Sequence, residues 1–200
     1  MIKVSLSILA GGKARRLNGI KKFEIILNSE RLIDRQLRKF KGLFDEILII
    51  SNEKIDNVVY PIYNDIYENI GPLGGIHAAL YYAKSPYIMI IPVDMPFIKT
   101  EFVKFIVKKV KENNYDIIVP IHDNFIEPLC AVYSKNLIKI IEDRISLKQY
   151  AVREIFNFVN VYYCEVFEKY DKQKMFYNIN YFDDIEKAYQ YERYYECRRD

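Results

Sequence analysis

Tryptophan is absent from this 200-residue chain, and histidine, cysteine, glycine and proline are scarce, at two, three, seven and seven residues. Each shortage excludes something. Cys130, Cys164 and Cys197 are odd in number, far apart and form no C-x-x-C. With only His77 and His122 beside them there is neither a zinc framework nor a disulfide scaffold, and structural thiols are the better reading. A charge excess of one sign is also missing. Thirty Lys and Arg against 27 Asp and Glu leave +3, too little for bulk nucleic-acid binding, so an anionic partner must meet a local site. No apolar run approaches the ~18 residues of a membrane span. Lys3 and the short run 4–10 faintly resemble a leader, but the run meets Gly11-Gly12-Lys13-Ala14-Arg15-Arg16 at once and reads better as a first buried strand. The expected location is the cytoplasm.

What is present is a globular balance, 50% hydrophobic and 28% charged. A chain of this size buries roughly 70% of its unfolded surface and needs no staple. One domain is expected over residues 1–200, since no repeat, linker or low-complexity stretch interrupts it. Short apolar runs at 3–9, 46–51, 58–63, 87–92, 116–120, 128–133 and 159–164 read as strands. Helices are expected between them: 30–44 capped by Ser29, 75–84, 100–112 capped by Thr100, 134–142 capped by Ser134, 147–156 and 183–196. The strands are continuous apolar runs, the pattern of strands buried on both faces. That predicts an α/β fold with a mostly parallel central sheet and helices on both faces.

Six of the seven glycines fall in two loops: Gly11, Gly12 and Gly19 after the first strand, and Gly71, Gly74 and Gly75 later. Glycine lets backbone approach a ligand closely, although ordinary turn chemistry would also explain such clustering. The first loop carries Lys13, Arg15, Arg16, Lys21 and Lys22 within ten positions and follows a buried strand. Ligands of α/β sheets bind beyond the strand carboxyl ends, where free amides with Lys and Arg make a phosphate cradle. Neither G-x-x-x-x-G-K-[ST] nor G-x-G-x-x-G occurs, which excludes a P-loop and a dinucleotide fingerprint. A second strand, 87–92, runs into Asp94 between Pro92 and Pro96. A stiffened lone carboxylate suits Mg²⁺, which often takes one or two carboxylates plus phosphates and water; a turn or cap Asp is the competing reading. His77 reads as a helix-surface residue.

Taken together, these segments resemble the molybdenum cofactor guanylyltransferases, a branch of the nucleotidyltransferases with a single-domain Rossmann-like fold. The resemblance rests on L-A-G-G-x-x-x-R at residues 9–16 with Lys22 after it, Asn52, Asp65 before Gly71-Pro72-Leu73-Gly74-Gly75, Asp94-Met95-Pro96-Phe97, Glu127-Pro128-Leu129, and Phe176-Tyr177-Asn178-Ile179-Asn180. It implies transfer of GMP from GTP to the terminal phosphate of molybdopterin, or its molybdenum-bearing form, with release of pyrophosphate. It further implies that the backbone of Leu9, Ala10, Gly11 and Gly12 contacts the nucleotide and that Lys22 binds its phosphates. Asn52 and Asp65 would hold base and ribose, Asp94 would bind Mg²⁺ beside GTP, and Arg16 would meet the leaving pyrophosphate. Pro72, Gly74 and Gly75 would let backbone approach the pterin side. Transient contact with proteins that insert or accept the cofactor follows from the same resemblance. Lys21 stands where many members carry Asp, which leaves open which lysine reaches the phosphates.

Three other readings compete: a cytidylyltransferase on the same acceptor, whose members tend to read L-A-A-G where this chain has Leu9-Ala10-Gly11-Gly12; a nucleotidyltransferase for another small metabolite; and a catalytically silent nucleotide-binding module. Retention of Arg16, Lys22 and Asp94 together argues against silence.

Overall fold

The structure, a computed structural model, describes residues 3–11, 19–111, 114–167 and 170–196. The strands are β1 (Val4–Leu9), β2 (Ile26–Leu27), β3 (Glu30–Arg31), β4 (Ile47–Ile50), β5 (Ile62–Tyr63), β6 (Tyr87–Pro92), β7 (Ile117–His122), β8 (Phe125–Ile126), β9 (Val132–Ser134) and β10 (Val161–Glu165). The helices are α1 (Leu32–Phe40), α2 (Pro72–Tyr82), α3 (Thr100–Lys108), α4 (Ile138–Ser146), α5 (Val152–Ile155), α6 (Lys172–Met175) and α7 (Phe182–Glu196).

The main sheet runs β10-β7-β9-β6-β1-β4-β5, with β8 hairpinned onto β7. Its pairs are parallel except where β9 lies antiparallel between β6 and β7 and where β8 meets β7. The continuous apolar strands are buried on both faces because alternate residues serve different cores. Leu6, Ile8, Ile47, Ile49, Met89 and Ile91 pack with residues of α1, α3 and α7. Leu48, Ile50, Ile88, Ile90, Ile117 and Val119 pack with α2, α4 and α5. The expected α/β fold, with helices on both faces, is therefore observed.

Several local expectations were displaced. Ser29 does not cap a helix: Asn28 and Ser29 both have positive φ, 49° and 60°, and form the turn between β2 and β3. Two such residues are what a tight hairpin needs, and α1 begins after it with Arg31 as N-cap. Thr100 is the first residue of α3 and Lys99 its N-cap. Ser134 does cap, accepting from the Asn136 N–H, but the turn it starts is 3₁₀ and α4 follows. The 147–156 pattern yields only the short α5, because Lys148 takes positive φ (58°) and ends α4. α2 starts earlier than expected, with Pro72 in its first turn after Gly71 at φ 73°. Proline is preorganised for that position and glycine for the preceding one.

Candidate active site

The parallel pairs bring Leu9, Ile50, Tyr63 and Pro92 to one carboxyl edge of the sheet. The loops that follow β1 and β6 are joined there, since the Val93 N–H donates to the Leu9 carbonyl at 3.0 Å. Ala10 N–H donates to the Ile50 carbonyl at 2.9 Å and ties the same loop to β4. Leu9, Ala10, Gly11, Lys22, Asn52, Asp65 and Asp94 therefore share one edge. Gly12 and Arg16 lie outside the described residues.

The centre of this edge is an ion pair. Lys22 Nζ donates to Asp94 Oδ2 at 2.5 Å and to Asn180 Oδ1 at 2.6 Å. Both charged side chains are largely buried, at 21% and 13% exposure, which strengthens their attraction relative to a surface pair. Lys21 points elsewhere, to an exposed pair with Glu53 at 3.1 Å. Asp94 Oδ1 is buried and without a hydrogen-bond partner among the described residues. A buried carboxylate oxygen left open in this way is costly unless something cationic or a donor meets it. It fits a divalent cation, and Asp94 is the residue that would hold one. No cluster of three or more His, Cys, Asp or Glu forms a protein-only metal cage among the described residues, as expected where phosphates and water complete the shell.

The Asp94 turn is braced from below. Gln36 of α1 is fully buried and donates to the Met95 carbonyl at 2.7 Å. The Ile179 N–H donates to the Asp94 carbonyl at 2.9 Å. Asn180 is held in turn by Asp184, whose carboxylate accepts from the Asn180 and Tyr181 N–H groups at 2.7 and 2.8 Å and from the Tyr177 hydroxyl at 2.9 Å. Those donors outweigh desolvation and hold Asp184 below the usual carboxylate range. Asn180 is thus a site residue to which the sequence reading assigned no role. Its signal was the F-x-N-[IV]-N segment, which marks the loop without showing what the last Asn meets.

Asn52 and Asp65 are brought together as well. The Asn52 amide donates to Asp65 Oδ2 at 3.0 Å, and its oxygen accepts the Asp65 N–H at 2.8 Å. Burial raises the Asp65 carboxyl pKa, partly countered by the Asn52 hydrogen bond. Gly74 and Gly75 do not form an open loop: both are buried in α2. A Cβ on Gly74 would sit 2.7 Å from the Tyr67 carbonyl, so the close approach is to the chain itself. His77, expected on a helix surface, is 1% exposed. α2 is apolar nearly all round because it lies between the sheet and α4, and His77 meets Tyr67 and Glu142 there. Cys130 and Cys164 are buried free thiols, and burial drives the Cys130 thiol pKa well up, which suits a structural role.

Fold and site together define an α/β protein with a polar cluster at the carboxyl edge of a mostly parallel sheet. The chain belongs to the MobA-like NTP transferase family, whose domain matches residues 6–161, and so to the nucleotidyltransferases. A Clostridium perfringens (strain SM101) protein named "Probable molybdenum cofactor guanylyltransferase" is 38% identical over 90% of this chain and 93% of its own length. A Desulfosudis oleivorans protein named molybdenum cofactor guanylyltransferase is 32% identical over 90% of this chain and 92% of its own. The crystal structure of molybdopterin-guanine dinucleotide biosynthesis protein A from Archaeoglobus fulgidus superposes with a TM-score of 0.81 at 28% identity, covering 93% of this chain and 97% of that one. No helix among the described residues is long and apolar enough to cross a membrane.

Proposed function

We propose that this protein transfers GMP from GTP to the terminal phosphate of molybdopterin and releases pyrophosphate. An oxygen of the acceptor phosphate attacks the α-phosphorus of GTP. A new P–O bond forms as the bond from Pα to the bridging oxygen breaks, and pyrophosphate leaves with that electron pair. The nucleophile is a phosphate monoester, largely ionised near neutral pH, so no strong general base is needed. The work left to the protein is to align two anions and to neutralise developing charge.

The observation that carries this reading is the Lys22–Asp94–Asn180 junction with Asp94 Oδ1 left open. Lys22 supplies a compact positive charge for the nucleotide phosphates and is aimed by two acceptors. Asp94 would hold Mg²⁺ through Oδ1, and the bound cation would supply charge neutralisation at the phosphates. The amides of Leu9, Ala10, Gly11 and Gly12 would line the nucleotide, and Arg16 would face the leaving pyrophosphate. Asn52 fixes Asp65 by two hydrogen bonds, so Asp65 presents the open acceptor of the pair for base or ribose donors. Cytoplasmic location and transient hand-over to cofactor-inserting proteins belong to the same reading, as does a single domain over 1–200.

The test is a panel of GTP, CTP and ATP with molybdopterin and Mg²⁺, scored by pyrophosphate release. GTP turnover should exceed CTP and ATP turnover by at least about tenfold, equivalent to ~1.4 kcal/mol. Equal turnover with CTP sinks the guanylyl assignment and leaves a nucleotidyltransferase on the same acceptor. No pyrophosphate with any triphosphate favours the silent module.

A further inference from the structure

A second polar cluster stands at the same sheet edge and takes no part in the chemistry above. Asp123 and Asn124, at φ 48° and 65°, turn β7 back into β8. The Glu127 N–H then donates to the Pro120 carbonyl at 3.0 Å, returning Glu127 to the end of β7. There His122 Nε2 lies 3.0 Å from Glu127 Oε1. The His122 ring lies flat on Phe176, with centroids 4.6 Å apart and planes within 2°. Phe176 opens the segment that reaches Asp94 through Ile179 and Lys22 through Asn180. Hairpin, Phe176 and the Ile179–Asn180 turn are therefore linked by successive contacts to Asp94, with Phe176 and Ile179 themselves buried.

Glu127 is fixed more firmly than a surface carboxylate needs to be. Its own carbonyl accepts the Cys130 N–H at 3.0 Å, and the next carbonyl, of Pro128, accepts the Tyr133 hydroxyl at 2.6 Å. Its side chain is 19% exposed, and among the described residues Oε2 accepts from nothing. β9 separates β6 from β7, so the two strand ends bearing Asp94 and His122 are two strand spacings, about 10 Å, apart. A ligand whose phosphate lies beside Asp94 would need a flat, polar far end to meet this cluster.

We propose that Glu127, oriented by His122, receives the pterin ring of the acceptor. This rests on the molybdopterin reading and adds the subsite that recognises the ring. The 2-amino-4-oxo edge of a pterin presents N3–H and a 2-amino N–H as two parallel donors. A carboxylate presents two parallel acceptors, and Oε1 retains a lone pair while bonded to His122. The ring would lie beside His122, whose own ring is held flat by Phe176. Selectivity follows because a site built for two donors leaves its carboxylate unpaired against a ring lacking one.

The test uses the fluorescence of 6-hydroxymethylpterin and of its 2-oxo counterpart, 6-hydroxymethyl-lumazine, on the full-length protein. The wild type should bind the pterin about tenfold tighter, and Glu127→Gln should lose that preference, since an amide matches only one of the two donors. Glutamine still accepts from His122, so thermal unfolding of the variant should match the parent. In turnover, Glu127→Gln should raise the acceptor KM by about tenfold and leave the GTP KM within about twofold. Equal affinity of the wild type for both rings overturns the proposal and needs no variant. So does a preference that survives in Glu127→Gln, or an equal rise in both KM values. Ring binding requires no GMP transfer: an intact pterin preference with no turnover would sink the transfer reading and leave this subsite standing.

Discussion

Two side-chain pairs stand at the same sheet edge, and they are built in opposite ways. Asn52 and Asp65 are 13 residues apart, and each satisfies the other from neighbouring strand ends. Lys22 and Asn180 are 158 residues apart and meet where the Ile179 N–H ties the later segment to the Asp94 carbonyl. The first pair is local and nearer the surface, and both of its hydrogen bonds form within the pair. The second is long-range, largely buried, and leaves Asp94 Oδ1 open. A local pair can shape a surface wall, whereas a buried carboxylate with one oxygen open among the described residues is where a cation or a donor would be met.

The largest expected effect follows from that open oxygen. Asp94→Asn keeps the shape and removes the charge, so turnover at saturating Mg²⁺ should fall at least about a hundredfold, or ~2.7 kcal/mol, with the fold intact by circular dichroism. Activity within about threefold of the parent would move the metal away from Asp94.

Next comes the contrast between adjacent lysines. On the proposed reading, Lys22→Ala should weaken GTP binding by about tenfold or more, because the nucleotide phosphates would lose a largely buried cation. Lys21→Ala loses only an exposed pair with Glu53, worth about 0–1 kcal/mol, and should bind GTP within about twofold of the parent. Calorimetry of both at one salt concentration decides it, and a larger loss for Lys21 would reverse the assignment.

Gln36 offers a smaller and more indirect effect. Gln36→Leu leaves the Met95 carbonyl without its donor, so unfolding free energy should drop by ~1 kcal/mol. kcat should fall several-fold while the GTP KM stays near the parent value, since the residue positions Asp94 without touching GTP. An unchanged kcat would show that the Asp94 turn holds itself.

Gly11 tests the nucleotide. An added Cβ meets no described atom within 4 Å, so Gly11→Ala should leave stability unchanged within about 0.5 kcal/mol. Any fall in the GTP over CTP ratio then reports crowding of the purine. An unchanged ratio removes Gly11 from base selection.

A further effect is one of pH and bears on stability alone. Lys39 folds its ammonium against the Pro96 carbonyl at 2.8 Å. Burial, with Arg35 and Arg38 nearby, lowers its pKa to about 7. Between about 7 and its ordinary value of 10.5 the unfolded chain holds a proton that the folded one lacks, so stability rises with pH across that window. Lys39→Met should flatten this rise in denaturant titrations. An identical slope in the variant would place the Lys39 amine in contact with water.

The apolar runs announced the sheet and both covering layers, and Gly11 and Asp94, singled out in the sequence, lie at one carboxyl edge of that sheet. What stayed hidden had physical reasons. Ser29 looked like a cap because a hairpin of two-residue strands has no periodicity to display. His77 looked exposed because α2 is covered on both sides, which only the placement of α4 reveals. Gly74 looked like a ligand contact, yet its missing Cβ makes room for the Tyr67 carbonyl. Asn180 was visible as a motif, but its partner sits at the other end of the chain.

That last separation bears on how the protein is made. The matched family domain ends at residue 161, and Lys22 and Asp94 both lie within it. A growing chain that has left the ribosome through β10 already holds the sheet, the glycine loop and both charged partners. It lacks Asn180, the Ile179 tie to Asp94, and the Asp184 carboxylate that arranges them. The centre is therefore finished by a segment beyond the matched domain, and a chain cut short before residue 180 would carry the ion pair without its third member.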